Sequence, residues 1–113
     1  MSWLKVGSLI CFMAVALGAF GAHALRGTLD ANHSRSTWET AVVYQFLHGL
    51  ALVVLSLHSA SRVVCYLFLA GILFFSGSLY VLAVSQASWL GPITPLGGLC
   101  FLAGWTVLFF TSR

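Results

Sequence analysis

The chain has 113 residues, 60% hydrophobic and 6% charged, with a mean hydropathy of +1.01. So few charges cannot clothe a soluble domain of this size, which makes lipid the solvent for most of its surface. The net charge of +3 arises from five Lys or Arg and two acids scattered singly; with no basic cluster to neutralise a phosphate backbone, nucleic acid is excluded as a partner.

In hydrocarbon every backbone polar group needs an internal partner, so spanning segments are helices or closed barrels. Long apolar runs without period-2 alternation select helices. The fold class is therefore all-α integral membrane: four transmembrane helices in a compact bundle, one transmembrane domain over residues 1–113. We place the helices at about 3–25, 37–57, 63–84 and 95–111, with a polar loop at 26–36. The lipid bilayer is the expected partner.

The first segment, Trp3 to Leu25, imitates a secretory signal: Lys5 stands at its start and Ala22-His23-Ala24 offers a small-x-small site. Retention is expected, because an apolar length of about 20 residues exceeds a signal core. Ala14, Gly18 and Gly21 share one face and should admit a close neighbour. From Arg26 the chain turns polar, with Asp30, Asn32, His33, Arg35 and Glu39 in what must be an aqueous loop. Ser36-Thr37-Trp38-Glu39 fits a capping box, so helix two starts near Thr37 and Trp38 is expected in the interfacial belt.

Helix two carries the most informative pattern. At 100° per residue Ala41, Tyr44, Gln45, His48 and Leu52 fall in one sector, whereas Val43, Phe46, Leu47, Leu50, Val54 and Leu57 fall opposite. The first set should be buried and the second should meet lipid. His58 to Arg62 form the next connection. In segment three Ser76 and Tyr80 share a face, with Gly71 and Ser78 well away from it, as expected of a helix touched on two sides. Trp89 anchors the uncharged link that follows, Thr94-Pro95 reads as N-cap and first helical position of segment four, and Gly97, Cys100 and Gly104 make another small stripe.

Four spans place both termini and the Arg62 connection on one side, giving Lys5, Arg62 and Arg113 there against Arg26 and Arg35 opposite. The positive-inside rule then favours cytoplasmic termini. Cys11, Cys65 and Cys100 stand alone on separate segments and read as inert thiols.

Four ordered motifs point to a family. Gly18-Ala19-Phe20-Gly21-Ala22-His23, then Trp38-x-Thr40-Ala41-Val42-x-Tyr44-Gln45-x-x-His48-Gly49-Leu50-Ala51-Leu52, then Ser76-Gly77-Ser78-Leu79-Tyr80, and finally Gly91-Pro92-Ile93-Thr94-Pro95-Leu96-Gly97-Gly98 with Leu102-Ala103-Gly104-Trp105 following, run almost the whole chain. Together they resemble the YgdD and transmembrane protein 256 family of small polytopic membrane proteins. Ala24 departs from the Gly that many relatives carry, at a helix end that tolerates either. The resemblance implies four spans in a bacterial inner (plasma) membrane, or in a mitochondrial membrane for a eukaryotic chain. It implies no activity, since the family's function is unassigned.

His48 is the leading site residue, because near the bilayer midplane an ionisable group is costly without partners. Tyr44 and Gln45 on its own helix, with Ser76, Tyr80 and Thr94 from neighbours, are the expected partners of a buried polar centre. His23 is a secondary candidate. Counted from the outer boundary the two histidines differ in depth by about 8 Å at the helical rise, which argues against bis-His haem. With no third ligand nearby, neither a metal nor another cofactor is expected. His33, Asp30 and Glu39 read as a solvated loop, and no serine has a triad context. The expected function is a non-enzymatic helper or interaction subunit acting through helix contacts, as a homo-oligomer or within a larger membrane complex. The alternative is a small transporter or a proton-, lipid- or quinone-binding module centred on His48; a membrane enzyme acting on a quinone or lipid headgroup comes third.

Overall fold

A computed structural model describes residues 2–58 and 61–111. Ser59 and Ala60 of the expected polar connection, and Arg113 of the charge count, lie outside the described residues. Among the described residues every regular element is helical: α1 (Trp3–Ala22), α2 (Arg26–Ala31), α3 (Arg35–Ser56), α4 (Arg62–Gly71), a π-helical turn (Ile72–Ser76), α5 (Gly77–Ser85), a 3-10 turn (Ser88–Leu90) and α6 (Ile93–Thr111). Among the described residues four helical spans are long and apolar enough to cross a membrane: Trp3–Ala22, Arg35–Ser56, Arg62–Ser85 and Ser88–Thr111. At about 1.5 Å per residue each reaches about 30 Å, the thickness of a hydrocarbon core.

The apolar runs make these helices, but local chemistry places their ends. α3 starts at Arg35, not Thr37, and Ser36 and Glu39 form no capping box. Ser34 is the N-cap residue without a side-chain cap bond, its hydroxyl being spent on the Ala83 carbonyl at 2.6 Å. The polar loop is partly helical, and α2 ends where His33 takes φ 53°. α6 likewise begins at Ile93, before the expected Thr94 N-cap. Pro95 is then the third helical residue, still within the first turn, where the missing N–H has no helical partner to lose.

Lipid tails are as apolar as Leu, so these helices associate by close packing and hydrogen bonds more than by a hydrophobic drive. α1 lies along α3 in the most extensive contact of the molecule. Gly7 makes it possible, since a Cβ there would stand 2.8 Å from the Gly49 carbonyl oxygen. Third and fourth spans pair similarly, and a Cβ on Gly97 would collide with the Phe75 backbone inside the π turn. Two buried clusters result, one around Leu52, Val64, Phe68, Ile72 and Phe101, the other around Leu29, Trp38 and Ala83.

The two-sided split of α3 is as the helical periodicity predicts. Ala41, Gln45, His48 and Leu52 are buried, while Val43, Phe46, Leu47, Leu50, Val54 and Leu57 are exposed. Tyr44 is the exception at 39% exposure. Trp38 also corrects the expectation of an interfacial anchor: it is 5% exposed, packed over Gly21, with its indole N–H donating to the Leu17 carbonyl at 2.9 Å.

Candidate functional site

His48 sits on the buried face of α3 and is 5% exposed. Its Nδ1 is 2.9 Å from the Tyr44 carbonyl oxygen one turn earlier, and its Nε2 receives the indole N–H of Trp105 at 3.0 Å. A carbonyl only accepts and an indole N–H only donates, so Nδ1 carries the proton and Nε2 is bare. The partners thus define one neutral tautomer with both nitrogens occupied. The ring lies stacked on Phe101, centroids 3.7 Å apart and 13° from parallel, and meets Phe68 edge-on at 5.2 Å.

Of the anticipated partners Tyr44 bonds His48, and the others are not grouped around it. Gln45 and Tyr80 form a second centre: the Tyr80 hydroxyl donates to Gln45 Oε1 at 2.5 Å, and Gln45 Nε2 donates to the Ile10 carbonyl at 3.0 Å. This chain stitches α5, α3 and α1 together. Ser76 donates to the Ala41 carbonyl at 2.8 Å, so it too serves the α3 contact. Thr94 is elsewhere, 2.6 Å from Ser78 between α5 and α6. Tyr44 gives His48 its carbonyl, not its phenol. His23, the C-cap of α1, is exposed and does not join the buried His48. No buried side-chain nitrogen or oxygen among the described residues lacks a partner.

Why the groups separate follows from helix phase. Ser76 and Tyr80 point at α3, whereas Gly71 and Ser78 contact Phe101 and Thr94 of α6. Segment three is thus touched from two sides, with different polar groups on each. Trp105, Phe101 and Phe68 were missed as partners of His48. Their cue is the aromatic pair Phe101 and Trp105 one turn apart, flanked by Gly97 and Gly104. Asn32 and Gln86 were missed as well: Asn32 Nδ2 donates to the Ala83 and Val84 carbonyls, each at 3.0 Å, and Gln86 Nε2 donates to the Asn32 carbonyl at 3.3 Å. They fasten the loop before α3 to the end of α5.

No group of three His, Cys, Asp or Glu able to hold a metal occurs among the described residues. Cys65 is buried and Cys11 and Cys100 are partly buried, each unpaired as a disulfide.

Residues 17–98 match the model of a family described as "Protein of unknown function (DUF423)". The chain belongs to the DUF423 family. It is 45% identical to the UPF0382 membrane protein SAB0533 of Staphylococcus aureus (strain bovine RF122 / ET3-1), over 97% of this chain and 93% of that protein. Against the UPF0382 membrane protein YwdK of Bacillus subtilis (strain 168) the identity is 42%, over 94% and 91% respectively. No solved structure matches the chain. The DUF423 chain is therefore a small membrane protein of a family without an assigned activity, as the four motifs imply.

Proposed function

We propose that this DUF423 chain is a non-enzymatic helper or interaction subunit that works through helix contacts with a second copy or a larger membrane complex. The carrying observation is the state of His48: both ring nitrogens are occupied by groups of the same chain, and aromatic rings close around it. Such a centre is suited to joining helices, not to binding substrate or relaying protons, which calls for a chain of ionisable groups. Tyr44, Gln45, Ser76, Tyr80 and Thr94 act in the same structural capacity, and His23 has no part in it. The outward faces of α1 and α6, with Leu9, Phe12, Leu99, Leu102 and Phe110, are broad, apolar and available to other helices.

We place the protein in the bacterial plasma membrane with cytoplasmic termini, on the excess of Lys and Arg at that end. Crosslinking in native membranes should trap a dimer or a heteromeric complex; recovery of monomer alone overturns the interaction role. Proton- or quinone-dependent flux in proteoliposomes that disappears in a folded His48→Gln variant also overturns it. Tags on both termini reacting from the outside would reverse the orientation.

A further inference from the structure

Away from His48, a cavity of about 530 Å³ opens where α1, α2 and α3 meet. Gly18 and Gly21 line it beside Trp38, and Arg26, Arg35 and Glu39 bring charge to its wall. Val42 and Val43 belong both to this cavity and to a second, wholly apolar hollow of about 310 Å³ that continues past Ala14 to Phe46 and Leu47. Sharing these wall residues, the two are taken together as one trough along α1 and α3. From Arg35 to Leu47 it runs about 18 Å at the helical rise, close to the depth of one bilayer leaflet with its headgroup region.

Its chemistry changes along that length. At the aqueous end Arg35 is held by Asp30 at 2.7 Å, whereas Arg26 and Glu39 form no ion pair with each other among the described residues. A cation and an anion thus face one cavity uncommitted. Farther in, the walls are dry, and exposed Val43 and Leu47 open them sideways to lipid. An amphiphile carrying both charge signs in its head and hydrocarbon below complements this arrangement.

We propose that the trough is a binding site for a glycerophospholipid with an aminoethyl headgroup. Its phosphate lies at Arg26, its ammonium at Glu39, and an acyl chain along Val42, Val43 and Leu47. The site is independent of the role assigned to His48. Native mass spectrometry of the full chain, titrated separately with dioleoyl phosphatidylethanolamine and dioleoyl phosphatidylglycerol, tests it. The ethanolamine lipid should bind more tightly, by about five-fold, the scale of one partly screened ion pair. Glu39→Gln should erase that preference while leaving glycerol-lipid binding unchanged, and Arg26→Gln should weaken both lipids. Val43→Trp, at a lipid-exposed position away from the charges, should weaken both by filling the trough. Equal affinity for the two headgroups, a preference for the glycerol lipid, or wild-type affinity in both Arg26→Gln and Val43→Trp would overturn the assignment.

Discussion

Trp105→Phe keeps an aromatic ring beside His48 and removes one proton donor. Hydrogen bonds between membrane helices average about 0.6 kcal/mol and reach about 1.7 kcal/mol, so a loss in that range is expected in SDS-titrated unfolding. His48→Ala should cost more, about 2–5 kcal/mol, because it also leaves an unfilled space between Phe68 and Phe101. Equal losses in the two variants would mean that the ring's packing contributes nothing. Glycines give a matched comparison. Gly97→Ala forces a methyl against the Phe75 backbone and should destabilise by about 1–3 kcal/mol, whereas Gly27→Ala meets nothing within 4 Å and should be neutral or slightly stabilising. That His48 and Gln45 are buried was legible, since one helix's periodicity decides it. Which groups they touch was not: Trp105 is 57 residues from His48, and no single-helix pattern encodes the meeting of two helix faces.

At the scale of elements, the π turn at Ile72–Ser76 inserts a change of phase in the middle of segment three. Upstream, α4 turns Phe68 toward His48; downstream, α5 turns Tyr80 toward Gln45. Inserting one alanine after the exposed Leu73 adds a residue that the turn, already wider than α-helix by one, does not absorb, and should rotate α5 by about 100° relative to α4. Tyr80 would leave Gln45, and markedly lower thermal stability is expected, read by circular dichroism in detergent. An insertion variant as stable as the parent would refute the phase argument. Nothing in Ile72-Leu73-Phe74-Phe75-Ser76 distinguishes it from ordinary apolar helix, so the turn was invisible in composition. The helix ends were hidden for another reason: Ser34 and Thr94 bond partners on other spans, which local capping rules do not consider.

On the scale of the whole molecule, α1 packs on α3, α3 on the α4–α5 span, and that span on α6. The backbones of α3 and α6 are not extensively in contact, and the His48 ring reaches across to Phe101 and Trp105. His48→Ala should therefore loosen α6 selectively. Cysteine pairs placed across α3 and α6 should crosslink less efficiently in that variant, while pairs across α1 and α3 remain unchanged. Four spans and a membrane setting were legible because hydropathy and length determine them. The row-like order of packing was not, because it depends on which glycines allow close approach. That order has a bearing on biogenesis. Each span leaving the ribosome finds its main docking surface on the one made just before it, so loop closures are short and assembly can keep pace with synthesis. The imidazole clasp is the exception to that order: it joins the second span to the fourth and must wait until translation of the last helix is complete.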